Sequence, residues 1–368
     1  MGALAASERA GVRQSGVHRY AMQLIGALPA LVAPDELIVY SRPSFLEEAT
    51  HSVKHVRPAI ALENPAVRAL WEQAVLPAHI RLDRIDLYHG LAFVLPRLAS
   101  VPMIVTIHDL AFMRWPDQTP SRRSAYLKRQ VKIAVDRATR VIAVSEHTRK
   151  EVIAVLGVSP ERIDVTPLGV EKNFRRLPLA EREQFKAQNG LLNPFILAVG
   201  NLEPRKNLVA LVRAFEQIAR EIPHDLVLVG ADGWKSGPLH EAITGSSCRP
   251  RIRLTGYVEP ENLPAWYSSC DAFVIPSLDE GFGLTLLEAM ACGAPVVSAN
   301  RGALPEVAGD AALLTETDEA SLALSVMHVL TNESLQARLR AAGPLRASRF
   351  TWARTASLTV DSYRKALA

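Results

Sequence analysis

The sequence lacks the features that mark secreted, membrane-spanning and nucleic-acid-binding proteins. Its 368 residues include three cysteines, which have no metal-ligand spacing and, being odd in number, do not suggest a disulfide framework. No apolar run is long enough to span a bilayer, and the N-terminal stretch MGALAASERAG lacks the apolar core of a signal peptide. No basic patch is interleaved with aromatic residues, which argues against nucleic acid as a partner. These absences predict a cytoplasmic protein.

What the sequence does contain is typical of a globular protein with two domains. Apolar residues make up 48% and charged residues 22% of the chain, whose length suffices for two separate cores. The charge is unevenly distributed: residues 1–175 carry 23 Lys and Arg against 17 Asp and Glu, whereas residues 176–368 carry 19 against 21. The basic first half indicates an anionic partner or an anionic membrane surface.

The first half alternates short apolar runs with helical patterns. Strands are predicted at Leu37–Tyr40, Ile85–His89, Met103–Ile107, Arg140–Val144 and Ile163–Thr166. Helices are predicted between them at Ala66–Ile80, Arg122–Ala138 and Glu146–Leu156. This alternation is typical of a parallel sheet with helices on both faces. No apolar strand precedes the helical pattern that follows Ser15-Gly16, so the first strand of this domain is expected to be missing, through a truncation or a misplaced start.

The second half repeats the alternation after a polar stretch at residues 171–193, which is predicted to be a linker. Strands are predicted at Phe195–Val199, Asp225–Gly230, Arg251–Thr255, Ala272–Ile275, Pro295–Ala299 and Ala311–Leu314, and helices at Leu208–Ile218, Glu319–Leu330, Leu335–Ala342 and Thr351–Leu367. The predicted domains are therefore residues 1–170 and 194–350, followed by a terminal helix at 351–368.

The most informative stretch lies between the predicted strands Ala272–Ile275 and Pro295–Ala299. Glu280 comes just before Gly281-Phe282-Gly283, where glycines let backbone N–H groups approach a ligand and where a helix begins. Glu288 follows in a helix that is otherwise apolar. A ligand with an anionic middle and a hydroxylated group on each side would suit this layout. Two alternatives stay open, since Glu280 could simply favour the helix N-terminus and Glu288 could be a core glutamate paired with one arginine.

Two other strand ends carry candidate binding residues. Gly200 to Asn207 follows the strand Phe195–Val199, and its adjacent Arg205 and Lys206 precede a helix N-terminus, which is typical of a phosphate site. Asn207 is a plausible N-cap for that helix. His108 stands beside an acid at the carboxyl end of Met103–Ile107, where open α/β sheets place their ligands.

Taken together, these motifs resemble a known enzyme family. Glu280, Gly281-Phe282-Gly283, Glu288, the run GAPVV at 293–297 and the run GALPE at 302–306 resemble the nucleotide-binding core of the retaining glycosyltransferases of family 4. The resemblance extends from about Gly11 to the C-terminus. It implies the α/β GT-B fold, with two facing Rossmann-like parallel-sheet domains, a cleft between them and a C-terminal helix that crosses back to the first domain.

The resemblance also implies roles for individual residues. Arg205 and Lys206, with the backbone of Gly281, Phe282, Gly283 and Leu284 and the loop that starts at Gly200, would hold the diphosphate of a nucleotide-sugar donor. Glu288 would bind the ribose hydroxyls and Glu280 those of the transferred sugar, over which His108 would lie. Tyr257 and Val258 would pack against the base, and the turn at Gly16 would face the donor. Fixed positive charge would replace a metal ion, so no divalent cation and no other cofactor is expected.

The sugar and the acceptor are less well defined. Segments Ala66–Pro77 and Met103–Asp117 favour bacterial polysaccharide mannosyl- or rhamnosyltransferases, and hence mannose and GDP-mannose, with a glycan or lipid-linked acceptor. Residues Arg122–Arg140 hold seven basic residues and one acid. They are interpreted either as a solvated helix face or as a surface for anionic membrane lipid.

Other functions remain as alternatives. A sugar-nucleotide epimerase or a phosphorylase on the same fold would need other catalytic residues. A dinucleotide-dependent dehydrogenase would need Gly-x-Gly-x-x-Gly after a first strand, which the sequence lacks. A non-catalytic GT-B subunit that binds only a nucleotide or a partner protein is the alternative from another class.

Overall fold

The computed structural model describes residues 16–33, 36–41, 53–56, 64–114 and 121–368. The chain forms two compact units, one made of Met1–Gly169 and Thr351–Ala368 and the other of Val170–Phe350. The region before Gly16, where a first strand was expected to be missing, lies outside the described residues, as does the turn residue Ser15.

Unit 1 is built from short strands alternating with helices. In chain order these are α1 (Gly16–Ala27), β1 (Ile38–Tyr40), β2 (Lys54–Val56), α2 (Pro65–Leu70), α3 (Leu76–Leu82), β3 (Tyr88–Gly90), β4 (Met103–Ile107), α4 (Ala111–Arg114), α5 (Ser121–Arg137), β5 (Arg140–Ala143), α6 (Glu146–Leu156) and β6 (Ile163–Val165), with a π-helical turn (Trp71–Val75) between α2 and α3 and 3₁₀ turns at Leu28–Ala30 and Pro160–Arg162.

The strands of unit 1 are parallel, as the alternation predicts. They form a four-stranded sheet in the order β3-β4-β5-β6, and a separate pair, β1-β2. The predicted strand Ile85–His89 begins three residues later than expected. The reason is the end of α3: Arg84 adopts a left-handed conformation and the N–H of Ile85 donates to the carbonyl of Ile80, so the chain is still completing the helix terminus there.

The C-terminal helix α15 (Trp352–Leu367) belongs to unit 1, as expected. Thr351 caps it by accepting a hydrogen bond from the N–H of Arg354, and Thr355 donates to the carbonyl of Pro167. Farther along, Ser362 and Lys365 both bond to Asp164, which follows the first residue of β6. These polar contacts fix the helix along its whole length against unit 1.

Unit 2 has the same alternation with a larger sheet. Its elements are α7 (Leu179–Gln188), β7 (Phe195–Val199), α8 (Leu208–Ile218), β8 (Asp225–Val229), α9 (Gly237–Thr244), β9 (Ile252–Gly256), α10 (Leu263–Ser269), β10 (Ala272–Ile275), α11 (Leu284–Ala291), β11 (Val296–Ala299), α12 (Leu304–Ala308), β12 (Leu313–Thr315), α13 (Glu319–Thr331) and α14 (Glu333–Ala347), with 3₁₀ turns at Pro204–Lys206, Arg249–Arg251 and Pro260–Asn262.

All six strands of unit 2 are parallel, in the order β12-β11-β10-β7-β8-β9. The strand order reverses next to β7, because the chain proceeds from β7 to β8 and β9 on one side and returns to β10 on the other. Open α/β sheets bind ligands at the carboxyl ends of the strands flanking such a point. The loops after β7 and β10 are therefore where a ligand is expected.

The strand predicted at Ala311–Leu314 is Leu313–Thr315, and α9 and α10 were not predicted. Two further segments of unit 2 differ from the sequence predictions. Residues 171–193 contain helix α7, whose Phe185 packs edge-on against Trp266 of α10 at 4.9 Å between ring centroids. Helix α14 runs to Ala347, five residues beyond the predicted end, with Pro344 inside it. Gly343 explains the extension: a Cβ there would lie 2.9 Å from the carbonyl oxygen of Met290, so its absence lets α14 pack directly on α11.

In the part of the chain that the structure describes, no helix combines the length and the apolar character that crossing a bilayer requires.

Candidate active site

The loops that follow β7 and β10 meet at the carboxyl edge of the unit 2 sheet. The N–H of Leu278, after β10, donates to the carbonyl oxygen of Arg205, after β7, at 2.9 Å. The Arg205 guanidinium also donates to the carbonyl oxygen of Asp279 at 2.5 Å. These backbone contacts bring Arg205 and Lys206 next to Glu280, residues that are 74 or more positions apart in the sequence.

Glu280 is the centre of this cluster and is paired with both cations. Arg205 Nη1 lies 2.8 Å from Glu280 Oε2, and Lys206 Nζ lies 2.6 Å from Oε1. All three side chains are 20% exposed or less. The cluster therefore has a net charge of +1 in a largely buried position, where charges are screened less than at the surface.

The partners of Glu280 decide its protonation state. Burial alone would raise the pKa of its carboxyl, but the charges and hydrogen bonds of Arg205 and Lys206 outweigh burial and lower the pKa to about 2. Glu280 is thus a carboxylate at any physiological pH. It can accept hydrogen bonds from hydroxyl groups but cannot act as a general acid.

A tight turn holds the backbone of Glu280. The N–H of Ala303 donates to the carbonyl oxygen of Glu280 at 2.9 Å, and Gly302 packs directly against the same peptide. A Cβ on Gly302 would lie 2.6 Å from both the nitrogen and the oxygen of Glu280, and its φ is +60°. Only glycine fits here without displacing Glu280.

The run that follows Glu280 leads into helix α11. Gly283 is its N-cap in a left-handed conformation, and Leu284 is its first residue. Gly281 and Phe282 are buried, and the Phe282 ring lies edge-on to Phe350 at 5.9 Å. The backbone N–H groups at the beginning of α11 therefore lie directly after the carboxylate of Glu280, as the sequence predicts.

Glu288 lies farther along α11 and is fully buried. The hydroxyl of Tyr267, on α10, donates to Glu288 Oε2 at 2.9 Å. A tyrosine hydroxyl thus bonds to this carboxylate, and the arginine partner of one interpretation of the sequence stays a prediction.

Residues flanking the cluster are placed as follows. The side chain of Lys206 passes beside Gly200, whose φ is +149°. Asn207 is at the N-terminus of α8 but does not cap it with its side chain, because its Nδ2 donates to the carbonyl of Thr317 instead. Tyr257 and Val258 follow β9 at the same sheet edge, and Tyr257 is 39% exposed.

In unit 1, His108 lies at the carboxyl end of β4 and is buried. Its Nε2 is 2.9 Å from the carbonyl oxygen of Leu91, so this nitrogen carries the hydrogen, since a carbonyl can only accept. Burial lowers the pKa of His108, which favours the neutral imidazole. The rings of Tyr20 and Phe93 contact it edge-on at 4.8 and 5.9 Å.

His89 belongs to a different, purely internal network. Its Nδ1 is 2.9 Å from the hydroxyl of Tyr363, and its Nε2 is 2.8 Å from Thr106 Oγ1, which also bonds to the hydroxyl of Tyr20. Burial lowers the pKa of His89 to about 3. This network links α1, β3, β4 and the C-terminal helix, which indicates a structural role.

The other residues of unit 1 to which the sequence assigns a role are Gly16 and the basic segment Arg122–Arg140. Gly16 is the exposed first residue of α1. Within the basic segment Arg122–Arg140, Lys132 is exposed and Lys128 is half-buried on α5. The sequence places Arg140 on one helix face with Lys128 and Lys132, and this prediction is wrong, because Arg140 begins β5 and is paired with Asp164 at 2.5 Å.

The comparisons with known proteins identify the family. The profile described as "Glycosyltransferase Family 4" matches residues 14–174, and the one described as "Glycosyl transferases group 1" matches residues 181–346. The chain belongs to the glycosyltransferases of group 1, family 4, and is a glycosyltransferase.

Individual relatives agree with this assignment. The O-antigen chain mannosyltransferase B of Escherichia coli is 29% identical over 372 residues, which cover 95% of this chain and 96% of the relative. A D-inositol 3-phosphate glycosyltransferase of Arthrobacter sp. is 30% identical over 308 residues, or 78% of this chain and 72% of the relative. Among solved structures, Anabaena Alr3699/HepE in complex with UDP and glucose superposes with a TM-score of 0.77 at 21% identity, covering 96% of each chain. This likeness establishes the α/β GT-B fold.

Two residues near the proposed site make contacts that their positions in the sequence do not indicate. Tyr267 reads as one more apolar residue of a buried helix, and Gly302 begins the run GALPE without any sign that it packs against Glu280. Their roles depend on contacts with Glu288 and Glu280, which the spacing of residues cannot reveal.

Proposed function

We propose that this enzyme transfers a hexose, mannose in the first instance, from a nucleoside diphosphate sugar to a glycan or lipid-linked acceptor, with retention of anomeric configuration and without a metal ion. The observation that carries the proposal is the buried cluster of Arg205, Lys206 and Glu280 at the carboxyl edge of the sheet. Family 4 glycosyltransferases use nucleotide-sugar donors, and this cluster combines the two groups that such a donor needs.

The cations of the cluster would stabilise the leaving diphosphate. A diphosphate gains negative charge as the glycosidic bond to the sugar breaks, and fixed positive charges at that position lower the barrier. Arg205 offers a guanidinium fork and Lys206 a point charge, while Gly200 lets the donor approach beside Lys206. The backbone of Gly281, Phe282, Gly283 and Leu284 adds N–H groups at the start of α11. This set supplies the charge that a divalent metal would otherwise provide.

The two glutamates would bind hydroxyl groups on opposite sides of the diphosphate. Glu280, ionised because of its two cationic partners, accepts hydrogen bonds from the transferred sugar once the diphosphate competes for Arg205 and Lys206. Glu288 binds the ribose hydroxyls. Tyr257 and Val258 pack against the base, mainly through backbone groups.

In unit 1, His108 and Gly16 are the residues proposed to take part in donor binding. A neutral imidazole with Nε2–H bonded to Leu91 has its Nδ1 as a hydrogen-bond acceptor. That form suits contact with a sugar hydroxyl and adds no charge. Gly16, at the start of α1, offers a backbone without a side chain.

Mannose and GDP-mannose are proposed because of the E. coli relative, whose name describes a mannosyltransferase and whose match covers nearly both chains. The same relative supports a polysaccharide acceptor. The exposed basic face of α5 supports a second partner, the anionic membrane surface on which lipid-linked acceptors reside.

A ligand screen followed by turnover tests the proposal. Thermal unfolding should be measured with GDP-, UDP-, dTDP- and ADP-sugars at one concentration, because a donor that binds more tightly raises the unfolding temperature further. We expect GDP-mannose to give the largest increase, and transfer to continue in EDTA. Binding without transfer to any glycan or lipid-linked acceptor would favour a non-catalytic role, and loss of transfer in EDTA would contradict the metal-free mechanism.

A further inference from the structure

Glu288 has an unusual position for a residue with a ligand-binding role. It is fully buried in α11, where its neighbours Leu286, Leu287, Ala289 and Met290 are all fully buried and apolar. A carboxylate in such surroundings needs hydrogen-bond donors to stay in place. The identified side-chain donor is the hydroxyl of Tyr267, 2.9 Å from Oε2.

Tyr267 itself is rigidly held. It is fully buried on α10, and its ring contacts Phe273 of β10 at 5.3 Å and Phe174 at 6.2 Å between centroids. A side chain packed on two aromatic rings has few rotamers available. Its hydroxyl is therefore a fixed point from which the Glu288 carboxylate is oriented.

Cys292 is a further buried group close to Glu288. The pKa of the Cys292 thiol is raised first by burial and then by the negative charge of Glu288. Cys292 ends α11, and its N–H donates to the carbonyl oxygen of Glu288 at 3.0 Å. Glu288 thus lies between the Tyr267 hydroxyl and the end of its own helix.

We propose that Tyr267 is a positioning residue for ribose recognition: its hydroxyl orients the Glu288 carboxylate so that it can accept hydrogen bonds from the ribose of the nucleotide donor. This inference rests on the proposed role of Glu288. Tyr267 does not touch the donor; it acts through Glu288. The role predicts that the enzyme distinguishes ribose from deoxyribose, and that the distinction depends on one buried phenol.

The test is a ratio of affinities within a single protein, so that a general loss of stability cancels. Titration calorimetry should first establish whether GDP or UDP binds more tightly. The affinity of that nucleotide is then compared with the affinities of its 2′-deoxy and 3′-deoxy forms. We expect the unmodified enzyme to prefer the ribose form by about tenfold or more, because a hydrogen bond to a charged acceptor is strong. Tyr267→Phe should reduce the preference to roughly threefold or less, and Glu288→Gln should do the same.

Tyr363→Phe is the matched control, because it also removes one buried tyrosine hydroxyl, the one bonded to His89 in unit 1. It should keep the full ribose preference. The double variant Tyr267→Phe/Glu288→Gln replaces both the Tyr267 hydroxyl and the Glu288 carboxylate. It should show the same ribose preference as Glu288→Gln alone, because Tyr267 acts only through Glu288.

The outcomes separate the two ideas. If the unmodified enzyme shows no ribose preference, or Glu288→Gln keeps it, the proposed role of Glu288 fails and the inference with it. If Glu288→Gln loses the preference but Tyr267→Phe keeps it, the proposed function stands and the inference is overturned. A double variant with clearly weaker preference than Glu288→Gln would also overturn it, since Tyr267 would then act independently.

Discussion

The two units bury polar side chains in opposite ways. In unit 1, His89, Thr106, Tyr20 and Tyr363 form a network of neutral groups, and burial lowers the pKa of His89 to about 3, so that it stays uncharged. In unit 2, Glu280 is equally buried, yet Arg205 and Lys206 keep it charged, with a pKa of about 2. The difference shows that burial alone does not mark a reactive group; a buried group stays charged only where the fold supplies opposite charge.

The comparison predicts a large loss of activity when one of the cations that keep Glu280 charged is removed. Replacing Arg205 or Lys206 by Ala should cost ~2–4 kcal/mol of transition-state stabilisation, because each is an electrostatic stabiliser of the leaving group. Steady-state kinetics with the identified donor measures it. Arg213→Ala, a half-exposed arginine on α8 of the same unit, is the control and should change little. Near-normal turnover in the Arg205→Ala/Lys206→Ala double variant would contradict the phosphate-binding role.

The two glutamates of unit 2 should differ from each other. Glu288→Gln should weaken binding of the free nucleoside diphosphate by about 10–100-fold, as expected when a charged acceptor of hydrogen bonds is lost. Glu280→Gln should keep that affinity or improve it, because Arg205 and Lys206 then no longer pair with a carboxylate. Transfer of the sugar should nevertheless be slower. Titration calorimetry together with turnover decides between them. Equal losses of affinity in both variants would mean that the roles are assigned wrongly.

Acid should act on the two units over different pH ranges. His89 has a folded pKa near 3, below the ordinary 6.5, so the unfolded state binds more protons between these values and stability falls as the pH drops from about 6.5. Glu280 has a folded pKa of about 2 against 4.5, so its contribution is present above pH 4.5 and is lost as the pH falls towards 2.

The contribution of His89 to unit 1 should therefore begin to be lost at a higher pH than the contribution of Glu280 to unit 2. Hydrogen exchange measured between pH 7 and pH 3 would follow each unit separately, with His89→Gln flattening the response of unit 1 and Glu280→Gln that of unit 2 below pH 4.5. Simultaneous loss of protection in both units, unaffected by either variant, would contradict this explanation.

The smallest effect concerns the basic face of α5. Each of Lys128→Glu and Lys132→Glu should weaken binding to anionic vesicles by about 1 kcal/mol or more, and high salt should weaken it in the unmodified protein. Lys172→Glu, an exposed lysine of unit 2, makes the same charge change and should have less effect. Co-sedimentation at low and high salt is the measurement. If the protein never sediments with anionic lipid, α5 is an ordinary solvated helix.

The fold could be predicted in most of its parts because parallel α/β units have a strong local signature. Strands such as Met103–Ile107, Phe195–Val199 and Ala272–Ile275 begin and end where the apolar runs do, since a buried strand must be apolar along its whole length. One error occurs where a contact distant in sequence overrides the local pattern. Gly343-Pro344 looks like the end of a helix, but packing on Met290 lets α14 continue.

The same reasoning explains what could be anticipated of the site. Glu280, Arg205 and Lys206 were singled out because charges and glycines at strand ends are distinctive. Their direct pairing, the diversion of Asn207 to Thr317 and the pairing of Arg140 with Asp164 depend on residues more than twenty positions away. No periodicity encodes those distances, so only the folded chain reveals them.

The membership of Thr351–Ala368 in unit 1 has a consequence for how the protein is made. Unit 2 is contiguous in the chain, whereas unit 1 lacks α15 until all of unit 2 has been synthesised. During synthesis, unit 2 can complete its core while β4 and β5 of unit 1 still wait for α15, including the partner that Tyr363 provides for His89. A chain that ends shortly before residue 351 would thus have the complete sheet of unit 2 but a sheet of unit 1 that lacks α15, which is the form that a chaperone would be expected to meet.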